Sequence, residues 1–152
     1  METNITIQLP DVEATGALAA RLAGLLVPGD AVLLEGPLGA GKSELARRLL
    51  RAAARDPGLE VPSPTFTFVQ TYALPVGTVH HFDLYRLDGP RDLAELGWDE
   101  ARDDIVIVEW PDRLGDLTPP GALRIALAPG TSDDSRVATI SGWDHRLQAL
   151  AA

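Results

Sequence analysis

The sequence lacks cysteine and has no long apolar run. Without cysteine, the chain cannot form disulfide bonds, zinc–thiolate sites, iron–sulfur clusters or a cysteine nucleophile. No apolar stretch approaches the ~20 residues needed to cross a membrane. The N-terminal segment has neither the basic region nor the apolar core of a secretory signal. We therefore expect a cytoplasmic protein that does not enter a membrane.

Positive charge is also scarce. The 152 residues include 13 basic and 22 acidic side chains, which gives a net charge of −9. This balance argues against a surface that coats nucleic acid, because neutralising phosphates requires clustered positive charge. The negative charge still allows the protein to bind a nucleotide at one local site or to dock onto a basic partner protein. Lysine is rarer still, because Lys42 is the single lysine among those basic residues.

The alternation of apolar and polar residues predicts helices and strands that alternate early in the chain, with strands dominating later. We expect helices over residues 11–26, 42–55 and 91–96, a final helix from Asp144, and strands over residues 5–9, 31–34, 65–72, 78–82, 105–108, 123–127 and 136–141. The most apolar run, residues 105–108, is predicted to be a central strand. Length and element order together predict one α/β domain over residues 1–152, with a mixed, partly parallel sheet.

The segment from Gly36 to Ser43, GPLGAGKS, matches the phosphate-binding loop (P-loop) pattern G-x-x-x-x-G-K-S/T. Glycines permit positive φ angles, so successive backbone N–H groups can turn inward toward phosphate oxygens. The helix that follows adds the positive end of its dipole. Lys42 would bridge the β- and γ-phosphates as a compact charge, and Ser43 would offer its hydroxyl to Mg²⁺. The segment therefore predicts nucleotide binding in a three-layer P-loop NTPase domain.

Two acidic residues end predicted strands close to this loop in the expected sheet. Glu109 follows residues 105–108 and is predicted to hold or polarise Mg²⁺; the alternative is an ordinary strand-end carboxylate. Asp83 would orient either the attacking water or the hydration shell of the metal. Arg86 lies near Asp83 in the sequence and is a further candidate for phosphate chemistry.

Two further observations narrow the site. His80 and His81 are adjacent on a predicted strand, so their side chains point to opposite faces and cannot chelate one ion; we interpret both as structural. GTPases of the Ras type read guanine with an Asn-Lys-x-Asp loop. This chain has one asparagine, Asn4, and one lysine, and neither lies in such a loop. An adenine nucleotide is therefore the expected ligand.

Six segments, taken in order, resemble one family. They are residues 9–15 (LPDVEAT), 36–43 (GPLGAGKS), 62–67 (PSPTFT), 81–87 (HFDLYRL), 96–97 (LG) and 108–111 (VEWP). The chain thereby resembles the TsaE family, also called YjeE, of small bacterial ATPases needed to make threonylcarbamoyladenosine in tRNA. The resemblance implies a P-loop α/β domain with a mixed sheet that binds ATP or ADP and Mg²⁺.

The resemblance also implies partners. TsaE proteins act with TsaD and TsaB, and TsaD, helped by TsaB, transfers a threonylcarbamoyl group onto the adenosine beside the anticodon. ATP hydrolysis by TsaE is expected to reset that complex between turnovers. The tRNA would then be contacted only indirectly, through the partners, which agrees with the acidic composition of this chain.

Individual roles follow from the same resemblance. Catalytic roles are implied for Lys42, Asp83 and Glu109, and for Thr65 and Thr67 in a switch-like segment that faces the γ-phosphate. Ser43 and Glu109 are the implied metal residues. Nucleotide contacts are implied for Thr15, Gly36, Leu38, Gly39, Ala40, Gly41, Lys42, Ser43, Glu44, Trp110 and Arg136.

Two loop positions depart from the family pattern. Pro37 stands where the family usually has aspartate, and Ser43 stands where it usually has threonine. Serine keeps the hydroxyl that would face the metal. Proline stiffens the loop and removes one backbone donor.

Two other functions remain open from the residues alone. One is a small P-loop metabolite kinase in which Asp83 serves as the base for a substrate hydroxyl, although no arginine-rich lid is evident in the sequence. The other is a sensor that binds ATP without hydrolysing it. A kinase would produce a phosphorylated acceptor, whereas a TsaE-like ATPase would release phosphate in response to its partners.

Overall fold

The computed structural model describes residues 4–143 and 146–151. Within these ranges the strands are β1 (Asn4–Leu9), β2 (Ala31–Glu35), β3 (Val69–Leu74), β4 (Gly77–Asp83), β5 (Ile105–Glu109), β6 (Leu123–Pro129) and β7 (Arg136–Ser141). The α-helices are α1 (Val12–Ala23), α2 (Lys42–Ala54), α3 (Trp98–Ala101) and α4 (Leu147–Ala151), with 3-10 turns over Pro90–Asp92, Ala94–Leu96 and Pro111–Leu117. None of the helices in the described part of the chain is both long and apolar enough to cross a membrane.

All the strands belong to one seven-stranded sheet with the order β1-β7-β6-β2-β5-β4-β3. The central strands β6, β2, β5 and β4 pair in parallel, while β7, β1 and β3 extend the two edges through antiparallel pairs. The predicted α/β class and mixed, partly parallel sheet are therefore confirmed. Strand β5 is central and buried along its whole length, as its apolar sequence predicted.

Apolar side chains cover both faces of the sheet. On one face, α1, α2 and α4 pack onto the sheet through buried residues that include Leu18, Leu49 and Leu150. On the other face, α3 and the 3-10 turns pack against the sheet, where Phe82 and Trp98 meet edge to face with ring centroids 5.1 Å apart. The result is a three-layer arrangement in which both faces of the parallel strands are shielded from water.

Several boundaries differ from those predicted. Helix α1 ends at Ala23, earlier than expected, because Gly24 caps it. The expected strand over residues 65–72 begins only at Val69, since the N–H of Phe68 bonds to the carbonyl of Pro64 at 2.6 Å and closes a turn. Gly97, with φ 79°, does not stop a single helix but separates a 3-10 turn from α3. Asp144, the predicted start of the last helix, lies outside the described residues.

Asp30 anchors the end of the chain to the start of β2. Its carboxylate accepts hydrogen bonds from both terminal nitrogens of Arg146, each at 2.8 Å, and from the N–H of Val27 at 2.8 Å. The guanidinium of Arg146 also lies over the ring of Trp143, 3.9 Å from its centroid. The hydrogen bond to Asp30 raises the pKa of Arg146. Asp30 is buried, so these contacts replace the water that its carboxylate loses on folding.

We expect Asp30→Ala to lower the free energy of unfolding by about 2–3 kcal/mol, because three hydrogen bonds to a buried carboxylate are lost. Asp30→Asn keeps an acceptor for Val27 but removes the negative charge, and should cost about half as much. Urea denaturation of the wild type and both variants measures the effect. Losses below about 0.5 kcal/mol in both variants would show that this anchor does not stabilise the fold.

Candidate functional site

A cleft of about 400 Å³ lies at the carboxyl ends of the parallel strands β2, β4 and β5. Open α/β sheets bind their ligands at this edge, because loops leave neighbouring strands there and side chains from several strands converge. The cleft is lined by Leu38, Gly39, Gly41, Lys42, Ser43, Glu44, Thr65, Asp83, Tyr85, Glu109 and Trp110. Most of the residues that the sequence nominated therefore share one cavity.

The P-loop connects β2 to α2 and forms one wall of this cleft. Its shape depends on glycine at two points. Gly36 has φ 142°, and a Cβ atom there would lie 2.5 Å from the carbonyl oxygen of Leu127. Gly41 has φ 102° and immediately precedes the first residue of α2. The N-terminus of α2 therefore points into the cleft, where the backbone N–H groups of its first turn favour an anion.

Lys42 is almost fully buried, with 5% of its surface exposed. Its ammonium donates hydrogen bonds to the carbonyls of Gly36 at 2.6 Å and Pro37 at 2.9 Å, and lies 4.2 Å from the ring centroid of Trp110. Burial lowers the pKa of Lys42, and the negative charges of Glu109 and Asp83 offset part of this effect. The arrangement holds one positive charge inside the loop, facing two carboxylates.

Glu109 connects the P-loop to the neighbouring strand. Its Oε1 accepts a hydrogen bond from the Ser43 hydroxyl at 2.7 Å, and its Oε2 lies 2.7 Å from Nε2 of His81. A hydroxyl and a carboxylate oxygen at this separation are the hard donors that Mg²⁺ prefers, and Mg²⁺ commonly uses one or two such protein groups together with phosphate oxygens and water. The residues present therefore fit a magnesium nucleotide.

Asp83 is the register neighbour of Glu109 in the β4–β5 pair, so the two carboxylates lie side by side at the edge of the sheet. Asp83 accepts hydrogen bonds from the Thr65 hydroxyl at 3.2 Å and from the N–H of Tyr85 at 3.0 Å. Thr65 thus lies in the cleft. Thr67, which the resemblance places before the γ-phosphate, is exposed, accepts a hydrogen bond from the Gln70 amide at 3.1 Å and does not line the cleft.

A smaller cavity of about 50 Å³ also borders the P-loop and is lined by Val12, Thr15, Gly41, Glu44, Leu127, Asp134 and Arg136. Arg136 reaches the loop there, with Nη2 3.4 Å from the carbonyl of Gly39. Thr15 and Arg136 therefore belong to this second cavity rather than to the main cleft. Glu44 borders both cavities, but its carboxylate is paired with Arg47 and Arg48, and the hydrogen bond from Arg48 lowers its pKa.

The remaining nominated residues shape the loop or lie away from it. Ala40 is buried beneath the loop, and its N–H bonds to the carbonyl of Pro37 at 3.1 Å. Arg86 does not line the cleft, since its guanidinium lies over the ring of exposed Phe66, 4.5 Å from the centroid. His80 faces the opposite way from His81 and contacts Asp104 at 2.9 Å.

Two residues that were not nominated from the sequence border the cleft or contact a residue that lines it. Tyr85 lines the cleft, and its ring lies 4.9 Å from that of Trp110. His81 contacts Glu109 directly, although its sequence pattern was interpreted as structural. A usable signal was present in the strand period, because His81 and Asp83 are two residues apart and must share one face of β4.

Comparison with known proteins gives consistent matches. The family model described as "Threonylcarbamoyl adenosine biosynthesis protein TsaE" matches residues 9–138. A tRNA threonylcarbamoyladenosine biosynthesis protein TsaE of Rickettsia felis is 38% identical over 120 residues, which cover 78% of this chain and 70% of the relative. The protein of the same name from Mycobacterium bovis is 37% identical over 146 residues, covering 90% and 86%. The crystal structure of YdiB from Bacillus subtilis superimposes with a TM-score of 0.82 and 25% identity, over 99% of this chain and 96% of that one.

Proposed function

The chain belongs to the TsaE family of threonylcarbamoyladenosine biosynthesis proteins, and we propose that it binds and hydrolyses ATP with Mg²⁺ in the cytoplasm, as a partner of TsaD and TsaB. Hydrolysis resets the TsaD–TsaB complex between turnovers, and the tRNA is contacted only through those partners. One observation carries the proposal. Lys42 and Ser43 at the start of α2 face the carboxylates of Asp83 and Glu109 across a single cleft.

The P-loop supplies the phosphate side of this proposal. The start of α2 offers backbone N–H groups and the positive end of the helix dipole. Lys42 holds its ammonium inside the same loop, where burial strengthens its attraction to a phosphate oxygen. The nucleotide is also contacted by Thr15 and Arg136, which border the small cavity at the loop. The bound nucleotides are ATP and its product ADP.

The strand ends supply the hydrolytic side. Ser43 and Glu109 would hold Mg²⁺, directly or through its water shell, and the ion would supply positive charge beside the phosphate oxygens. Asp83 is buried beside Glu109, and its carboxylate orients the attacking water. Its hydrogen bond from Thr65 couples the segment over residues 62–67 to the hydrolytic centre.

The proposal is tested by measuring phosphate release from ATP with and without TsaD–TsaB, for the wild type and for Lys42→Ala. The expected result is slow release by the protein alone, faster release with the complex, and loss of both in the variant. If the complex neither binds the protein nor accelerates release, the partner assignment is wrong. If release survives in Lys42→Ala, the P-loop is not the hydrolytic site. A metabolite kinase would instead transfer the phosphate to an acceptor and would not respond to the complex.

A further inference from the structure

Three side chains form a continuous hydrogen-bonded chain from the P-loop into the sheet. The Ser43 hydroxyl donates to Oε1 of Glu109 at 2.7 Å, and Oε2 of Glu109 lies 2.7 Å from Nε2 of His81. Both Glu109 and His81 are 2% exposed. The contact with His81 is therefore shielded from water, which makes it stronger than the same contact at the surface.

The imidazole can donate to Glu109 through one nitrogen. Nδ1 of His81 is buried and has no hydrogen-bond partner among the residues that the structure describes. A hydrogen on Nδ1 would be a buried donor without an acceptor, whereas a lone pair there is less costly. Nε2 therefore carries the hydrogen and donates it to Oε2 of Glu109.

This donor restricts the orientation of the Glu109 carboxylate. A buried carboxylate without a donor for Oε2 would rotate toward another polar group or draw water into the sheet. With Oε2 bound to His81, Oε1 is the oxygen that remains directed at Ser43 and the cleft. The histidine is held in turn by β4, where it lies beside Ile107 of β5 and two residues before Asp83.

We propose that His81 is a positioning residue for Glu109, acting through the Nε2–H···Oε2 bond to direct Oε1 toward the metal position beside Ser43. The proposal rests on the proposed function, since it assigns His81 a part in Mg²⁺ affinity. Groups that orient metal-binding carboxylates commonly contribute about 10- to 100-fold to metal affinity. His81 touches neither nucleotide nor metal in this role.

The test compares His81→Met with His81→Gln, which are similar in length and differ in the terminal N–H donor. ATP binding is measured by calorimetry in EDTA and across a Mg²⁺ titration. The Mg²⁺ midpoint is the Mg²⁺ concentration that gives half of the maximal gain in ATP affinity. His81→Met should raise this midpoint by about 10-fold or more, and His81→Gln should keep it within about 3-fold of the wild-type value. ATP affinity in EDTA should be the same in all three proteins. Equal Mg²⁺ midpoints in the Met and Gln variants would overturn the proposal.

The neighbouring histidine provides the matched control. His80→Met makes the same substitution as His81→Met on the opposite face of β4, where the ring contacts Thr71 and Asp104, and should leave the Mg²⁺ midpoint unchanged. Thermal unfolding of each variant shows whether it is folded at the assay temperature. A Mg²⁺ midpoint that shifts equally in His80→Met and His81→Met would indicate a general effect on the sheet and would also contradict the proposal.

A second readout requires neither ATP nor Mg²⁺. In the wild-type protein, NMR of the ¹⁵N-labelled histidine rings should show His81 with its hydrogen on Nε2 and a downfield, slowly exchanging Nε2–H signal. Glu109→Ala should abolish that slow exchange, while the His80 signals remain in place. A hydrogen on Nδ1, or an Nε2–H signal indifferent to Glu109→Ala, overturns the proposal even if ATP binds. Failure of the wild type to bind ATP would instead contradict the proposed function and leave this readout to decide the role of His81.

Discussion

Lys42→Ala is expected to weaken ATP binding by about 10- to 100-fold and to slow hydrolysis by about 100- to 1000-fold. The ammonium of Lys42 is the one charged donor that the P-loop itself carries, and it is 5% exposed. Removing a buried, preorganised donor costs more in the transition state, where charge on the phosphate oxygens develops, than in the ground state. The variant should therefore lose rate in the hydrolysis of bound ATP in addition to its loss of affinity.

The control for this variant is Arg47→Ala, which removes the same formal charge from the same helix. Arg47 lies on the solvent side of α2 and pairs with Glu44, so both affinity and rate should stay within about 2-fold of the wild type. Calorimetry gives the affinities and a single-turnover assay gives the hydrolysis step. A Lys42→Ala protein that loses affinity but hydrolyses bound ATP at the wild-type rate would show that Lys42 contributes only ground-state binding.

The sequence pattern could predict the P-loop because its chemistry is local. The loop needs glycines, one lysine and one hydroxyl within eight consecutive residues, between a strand and a helix, and the structure places Gly36 to Ser43 between β2 and α2. The strand-end acids could also be predicted, since Glu109 and Asp83 each directly follow a predicted strand. Parallel pairing then brings such strand ends to one edge of the sheet.

Contacts between distant segments were harder to predict. The approach of His81 to Glu109 depends on β4 and β5 being neighbours, and the approach of Arg136 to Gly39 depends on β7 entering the sheet beside β6. Neither strand pairing can be predicted from the alternation of apolar and polar residues within one segment. For Thr67 the reason is local. Thr65 and Thr67 lie within one turn, closed by the hydrogen bond from Phe68 to Pro64, and of the two Thr65 lines the cleft.

Gly36→Ala is expected to lower the free energy of unfolding by about 3–5 kcal/mol. The substitution combines two unfavourable effects. A φ of 142° is a conformation that residues with a side chain rarely adopt, and the new Cβ atom would lie 2.5 Å from the carbonyl oxygen of Leu127 in β6. Because that oxygen belongs to the backbone of a central strand, it cannot move aside as the end of a flexible side chain would.

Gly39→Ala separates the two effects. Gly39 also has a positive φ, 80°, but a Cβ atom there would meet nothing within 4 Å, so the expected loss is about 1 kcal/mol from backbone strain alone. Chemical denaturation of both variants measures the difference. If the two losses were equal, the contact with Leu127 would not be a rigid constraint on the loop.

Gly36→Ala should also weaken ATP binding at temperatures where it remains folded, because the carbonyl of Gly36 that holds the Lys42 ammonium must shift to relieve the clash. We therefore expect stability and the proposed ATP binding to depend on the same close approach between the P-loop and β6.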